Sequence, residues 1–287
     1  LIGFEEREGE SRAMLDEMAG ACAADGIEVT DRLFVRGERW FAPDCHQTCC
    51  PPEGLRLPDP SEVPAVAEFV GRGICPAPDR SALADRLEPN WPLMSRALIV
   101  QADEWLARRQ AATGAGEDEL DECRATELDV WARVLWAEDD AESIQALRSQ
   151  DLAVLAVSLS DVDLRDALIA WLCPGTLAQE LIDPRLFTQM SGALAQQPWL
   201  DGDIRDVDQV IALQRIEGRL CEVCAALPDL WAVAALTVLA TFTWWRGDGA
   251  LTRVALDRAL RIDPRYRLAQ LLERMVDLAI RPERASA

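Results

Sequence analysis

The stretch Trp231–Ile280, WAVAALTVLATFTWWRGDGALTRVALDRALRIDPRYRLAQLLERMVDLAI, decides the fold class of this chain. Its opening part, about Asp229–Arg246, is apolar on nearly every face, the pattern of a helix surrounded by protein. A membrane span is the rival reading, and length disfavours it. The apolar run Leu230–Trp245 has 16 residues, includes Thr237, Thr241 and Thr243, and falls short of the ~20 needed to cross a bilayer. Arg246-Gly247-Asp248-Gly249 then breaks the helix, because glycine takes positive φ at a helix end without strain. A second helix turns Leu251, Val254, Ala255, Leu256, Ala259 and Leu260 inward and Arg253, Asp257, Arg258 and Arg261 outward. Asp263-Pro264 ends it, since proline lacks the N–H and disfavours helix in the residue before it. The third helix carries the cleanest period in the chain: Leu268, Leu271, Leu272, Met275, Val276 and Ala279 recur at helical spacing.

Within this stretch, Gly247-Asp248, Ala259-Leu260 and Ile262-Asp263-Pro264 resemble a tetratricopeptide unit in type and spacing, with Thr252 standing where that motif carries alanine. No second copy occurs at the repeat's offset of about 34 residues, and one unit cannot build a solenoid groove. The stretch therefore reads as the three-helix hub of a helical domain. Its outward polar faces, around Arg253, Asp257, Arg261, Glu273 and Asp277, are where a partner surface is expected.

At the other end of the chain, Leu1-Ile2-Gly3-Phe4 reads as the end of a buried strand. A helix follows, with Ser11 as a cap and Met14, Leu15, Met18 and Cys22 on one face. Gly26 stops it, and Ile27–Val29 resumes an extended segment; strand, helix, strand in this order implies a parallel pair. Leu33-Phe34-Val35 and Arg39-Trp40-Phe41 bracket Arg36-Gly37-Glu38, a three-residue hairpin turn. Such a sheet is small and leaves exposed edges. Strands before Leu1, or a second polypeptide, are therefore expected to complete it.

Asp44–Asp59 is a loop rich in Pro, Cys and Gly, followed by short helices over Ser61–Val70 and Asp79–Leu87. No strand is read from Asn90 onward. Helices are expected over Pro92–Arg109, Glu119–Glu138, part of Ala141–Ser158, and Asp206–Ala226. Another opens at Ser160-Asp161-Val162-Asp163, which resembles a capping box, and closes at Pro174-Gly175. Ala111–Glu117 reads as a turn. The fold class is α+β, predominantly α-helical: a small, incomplete amino-terminal α/β sheet within residues 1–88, and a large helical domain over 89–287 that contains the three-helix unit 231–280.

Composition narrows the function classes. A net charge of −21 argues against nucleic-acid binding, which rests on clustered Lys and Arg, and against docking on anionic membranes. It favours solubility or a basic partner. All 29 basic residues are arginine, a bias of origin rather than mechanism. Nine cysteines without framework spacing point to a reducing compartment. No signal peptide or transmembrane helix is read, so the expected location is the cytoplasm.

The densest chemical cluster is Cys45-His46-Gln47-Thr48-Cys49-Cys50-Pro51-Pro52-Glu53-Gly54, three cysteines beside the only histidine. Structural zinc wants four tetrahedral ligands, usually from two paired knuckles. Here Cys45, His46, Cys49 and Cys50 are a candidate set in a single knuckle, with Cys75 able to join only through the fold. A disulfide and plain thiols are the alternatives, and plain thiols are the default; no cofactor is otherwise expected. Cys45–His46 is a weak nucleophile–base pair, because sequence neighbours rarely have the geometry. Cys221-x2-Cys224 has redox spacing but sits late in a helix, whereas redox pairs use a helix N-terminus; it reads as structural. The acidic clusters lack the glycine and glutamate of an EF-hand loop and mostly precede helices, where carboxylates cap amides.

Two stretches together resemble the actinobacterial family called domain of unknown function 4192. One is Gly37-Glu38-Arg39-Trp40, then Cys45, Cys49-Cys50-Pro51 and Gly54, through Arg80 and Pro89. The other is Trp245, Gly247-Asp248-Gly249-Ala250, Ala255-Leu256-Asp257-Arg258-Ala259-Leu260, Asp263-Pro264 and Tyr266-Arg267-Leu268-Ala269. Members of that family look longer at the amino end by a strand-rich segment, which implies the architecture read above and imports no activity.

Two functional readings follow. The first is a cytoplasmic, non-catalytic helical scaffold whose acidic body engages another protein, with neither nucleic acid nor membrane as a partner. The second is an enzyme or ligand-binding protein with a pocket where Arg39, Trp40 and the Cys45–Gly54 loop meet the helical body, the Arg–Trp pair gripping an anionic or planar ligand.

Overall fold

Gly37, at φ +59°, turns the chain between β2 (Leu33–Arg36) and β3 (Arg39–Phe41). Arg36 pairs directly with Arg39, so the loop has two residues rather than the three expected. Glycine at positive φ followed by Glu38 at ordinary φ is the type II′ pattern, whose twist matches that of the flanking strands. β1 (Ile2–Phe4) pairs in parallel with β2 across the intervening α1 (Glu8–Ala24). β4 (Leu55–Arg56) adds antiparallel to β3, giving the order β1-β2-β3-β4.

The strand that partners β1 is therefore Leu33–Arg36 and not Ile27–Val29. Gly26, at φ +72°, ends α1, and the Ile27 amide turns back to the Cys22 carbonyl at 2.8 Å. Ile27 is left exposed, and the chain stays irregular until Leu33. Of the apolar face expected on α1, Leu15 is buried while Met14 and Met18 are exposed. Length explains this. Seventeen helical residues span about 25 Å, against about 10 Å for a three-residue strand.

These elements belong to the first of two units, Leu1–Cys75 and Pro76–Ala287, into which the chain divides. The computed structural model describes residues 2–4, 8–45, 49–71, 77–89, 96–136, 147–194, 197 and 207–282. A 3₁₀ turn at Pro60–Glu62 and α2 (Pro64–Gly71) complete the described part of the small unit. As the sequence indicates, the class is α+β and mostly helical.

The helical unit runs α3 (Arg80–Asp85), α4 (Arg96–Ala115), α5 (Glu117–Leu135), α6 (Ser149–Ser158), α7 (Val162–Leu172) and α8 (Pro184–Ala193), then α9 (Val207–Ala226), α10 (Asp229–Arg246), α11 (Gly249–Ile262) and α12 (Arg267–Asp277). α10 lies at the centre, packed against α7, α9, α11 and α12, with Leu236, Leu239 and Phe242 fully buried. Its Thr237, Thr241 and Thr243 hydroxyls donate to carbonyls one turn back, which is how hydroxyls survive in an apolar core. Gly247, at φ +93°, ends the helix in the left-handed conformation expected, and Asp248 caps α11 through the Leu251 amide at 3.0 Å.

Residues 76–88, which the sequence grouped with the small portion, belong to the helical unit in this structure. Leu87 is buried in its core, its carbonyl accepts a hydrogen bond from Arg258, and α3 packs on α11. α4 continues through Ala111–Ala115, so only Gly116 breaks what was expected to be a longer turn. Ser160 does not cap α7; its hydroxyl donates to the Val157 carbonyl at 2.6 Å, and Asp161 accepts from the Asp163 amide at 3.0 Å instead. α8 was not expected. Its signals are Asp183 capping Arg185 and Pro184 at the first turn, with Leu186 and Met190 as its buried residues.

Candidate functional site

The site grows from the β2–β3 hairpin. Phe34 pairs with Phe41 across the strands, their ring centroids 5.4 Å apart, while Trp40 pairs with Val35 on one side and Leu55 on the other. Beyond Phe41 the chain makes the cysteine loop and returns at Gly54. That return is tightly specified. Gly54 stands at φ +73° with its Cα against the Phe41 ring, where a Cβ would lie 2.6 Å from the ring edge. The Gly54 amide donates to the Pro51 carbonyl at 2.9 Å, and the Cys45 amide to Ala42 at 3.0 Å, so both described ends of the loop are pinned.

Arg39 holds the loop rather than a ligand. Its guanidinium donates to the carbonyls of Gly54 at 2.6 Å and Glu53 at 3.3 Å. Of the expected Arg–Trp pair, Arg39 is thus committed to the loop backbone and only Trp40 is among the residues lining the cleft. That cleft is of about 770 Å³, and its walls include Phe34, Phe41, Leu15 and Leu55. Prolines 43, 51 and 52 and the thiols of Cys45 and Cys50 complete much of the lining, and the charged members are Arg12 and Glu53. Arg12, on α1, is exposed and has no carboxylate partner among the described residues. Sequence reading missed it because nothing local links a mid-helix arginine to a loop more than thirty residues away.

Three of the expected metal ligands come together. The sulfur atoms of Cys45 and Cys49 are 3.6 Å apart, those of Cys49 and Cys50 are 3.9 Å apart, and all three lie within 4.8 Å of one another. His46 lies outside the described residues, as does Cys75. Among the described residues every cysteine is free, and these two sulfur separations are far beyond the 2.05 Å of a disulfide. Hydrogen bonding to Cys45, then burial and Cys49, pushes the Cys50 thiol up to about 12.

A family model for a domain of unknown function (DUF4192) matches residues 1–283. The chain belongs to that family. Comparison with curated proteins and with solved structures found no match. What distinguishes one part of this DUF4192 chain from another must accordingly be argued from its own geometry.

The other concentration of charge in this DUF4192 chain is a buried lattice in the helical unit. Glu127, fully buried, accepts from Trp105 at 3.0 Å and Arg109 at 2.8 Å; Arg109 also donates to Asp161, which accepts from Arg124 at 3.1 Å. Burial raises Glu127 to about 6, against the pull of Arg109 and Trp105. Burial also opposes ionisation of Asp161, but the guanidiniums of Arg109 and Arg124 outweigh it and hold that carboxyl below the usual range. A raised carboxylate in a cleft would be a general-acid candidate. This one ties α4 to α5 and is not part of the lining of the small unit's cleft, so the lattice is structural.

Cys221 and Cys224 are buried in α9. Burial pushes Cys221 up to about 12 and Cys224 well above its ordinary value, the opposite of an activated redox thiol. The polar faces of α11 and α12, where a partner was expected, carry intramolecular ion pairs: Arg253 with Asp277 at 2.5 Å and Arg80 with Asp257 at 3.2 Å. No helix among the described residues is long and apolar enough to cross a membrane.

Proposed function

We propose that this chain is a small-molecule-binding protein whose site is the cleft of the small unit, with the helical unit as a structural body. The observation that carries the reading is the lining: Phe34, Trp40 and Phe41 beside the exposed Arg12. Binding sites are clefts of roughly 300–1,000 Å³, mostly apolar, with a few polar groups that fix orientation. Aromatic walls favour a planar apolar body, and the guanidinium favours an anionic substituent on it.

The reading is of binding without turnover. A nucleophilic cysteine needs a lowered pKa or an adjacent base, whereas Cys50 is raised by its neighbouring thiols. Reduced thiols at a half-exposed loop suit a cytoplasmic setting. The scaffold reading draws less support, because three of the five residues proposed to meet a partner are engaged in ion pairs within the helical unit, Arg253 with Asp277 and Asp257 with Arg80.

The test titrates the full chain with indole, indole-3-acetate and tryptamine, read by calorimetry and by thermal shift. One indole-3-acetate per chain is expected, bound more tightly than indole, with tryptamine weakest. Trp40→Ala should weaken it about tenfold, the scale of one lost ring contact. Arg12→Ala should remove the preference for the acetate while leaving indole binding intact, a change that unfolding would not produce. Absence of binding by all three compounds at millimolar concentration, or wild-type binding by Trp40→Ala, overturns the reading.

A further inference from the structure

Among the described residues the cysteines, Cys22 on α1 aside, fall into two populations. Cys123, Cys173, Cys221 and Cys224 are buried in the helical core, where cysteine behaves as a small apolar residue. Cys45 and Cys50 are half-buried and Cys49 is exposed, so core packing does not account for three thiols gathered within 4.8 Å. Something other than the hydrophobic effect must explain why three soft donors converge at a surface loop.

Their spacing supplies the explanation. Zinc–sulfur bonds of about 2.3 Å in a tetrahedral site place neighbouring sulfurs about 3.8 Å apart. The observed separations of 3.6 and 3.9 Å fall on either side of that value. A binding loop must also be held before the ion arrives, or ordering it erodes affinity. Here the hold is visible: Arg39 clamps the Gly54 and Glu53 carbonyls, Gly54 is seated against Phe41, Arg32 pairs with Asp44 at 2.6 Å, and Pro51-Pro52 stiffens the return.

We propose that Cys45, Cys49 and Cys50 form a three-thiolate site for one zinc-class divalent cation beside the cleft. Thiolate donors select such soft ions over magnesium or calcium. On binding, three S–H bonds break and three sulfur–metal bonds form; the three protons go to solvent and the site carries a net charge of −1. Three protein ligands leave a tetrahedral ion one open position. Cys45 and Cys50 line the cleft, so that position is within reach of solvent or of a cleft occupant. The site goes beyond the small-molecule reading and stands whether or not the cleft takes a planar ligand.

The experiment uses untagged full-length chain, kept reduced, stripped with a chelator and titrated with Co²⁺, then with Zn²⁺. One Co²⁺ per chain should appear with sulfur-to-cobalt charge-transfer absorption, bleached by one equivalent of Zn²⁺. Loss of a second-shell partner costs 10–100-fold in metal affinity, so removing a ligand by Cys49→Ser should cost at least about 100-fold. Cys49 is exposed, so this variant should fold normally, and Cys22→Ser, outside the cluster, should bind as wild type does. Trp40→Ala and Arg12→Ala should leave the titration unchanged, which separates failure of this site from failure of the ligand reading. Absence of charge-transfer absorption, unchanged affinity in Cys49→Ser, or a disulfide among the three cysteines that persists in the presence of reductant overturns the proposal.

Discussion

Replacing Glu127 by glutamine should erase a specific pH dependence of stability. In the folded state the Glu127 carboxyl sits at about 6, against an ordinary value of 4.5, because burial disfavours its charge. The folded chain therefore holds this proton more tightly than the unfolded one. Ionisation of Glu127 costs stability above about pH 6, and the cost is relieved as pH falls from 6 towards 4.5. At 1.36 kcal/mol per pH unit the effect is about 2 kcal/mol. Glutamine keeps the acceptor for Trp105 and Arg109 and places an amide where Oε2 has no hydrogen-bond partner among the described residues. Urea unfolding, followed by circular dichroism from about pH 7 to pH 4, should show the wild type gaining about 2 kcal/mol relative to Glu127→Gln. Asp161 and Asp151 are held below the usual carboxylate range; their stabilisation is lost only as pH falls below 3.8 towards still lower folded values, and both chains share it. A difference constant with pH, or one of opposite sign, would refute the reasoning. Glu127→Ala should cost about 1–3 kcal/mol at neutral pH, because it leaves the buried Trp105 N–H unpaired and Arg109 with Asp161 alone.

Thr252→Ala restores the residue usual in a tetratricopeptide motif, yet it should lower stability by about 1–2 kcal/mol in chemical denaturation, since it removes the 2.9 Å bond to Thr243 from a buried site. Gly54→Ala should destabilise the small unit by about 1–3 kcal/mol, from positive φ and from the clash with Phe41, and should abolish cleft binding while the helical signal persists. Brief iodoacetamide treatment of the native, metal-free chain should modify Cys49 and spare Cys173, Cys221 and Cys224, whose burial keeps them protonated and inaccessible; peptide mass spectrometry reads the pattern.

Much of the helical unit is legible in sequence because its signals are local. α10 is apolar all round and stops at Gly247, and α12 repeats its apolar residues with helical period, so both are read close to their observed limits. α8 escapes because only Leu186 and Met190 are buried along it, too few to mark a stripe. Ala111–Ala115 looks like a turn by composition, but burial of Ala112 against the core keeps it helical. The boundary near residue 88 depends on Arg258 reaching Leu87 from a segment far along the chain, which no local pattern encodes.

The candidate site divides the same way. Cys45, Cys49, Cys50 and Trp40 announce themselves by residue type and proximity in sequence. Arg39 was expected to face a ligand but is committed to backbone carbonyls, a role set by where the chain returns at Gly54. Arg12, Phe34 and Leu55 join the cleft only through strand pairing and the packing of α1.

The central claim, that function resides in the small unit's cleft, is tested most directly by hydrogen–deuterium exchange of the full chain with and without indole-3-acetate. Binding at the cleft should slow exchange in β3, β4 and the loop residues between them and leave α11 and α12 unchanged. Slowing confined to α11 and α12, or no slowing at all under saturating compound, would contradict it.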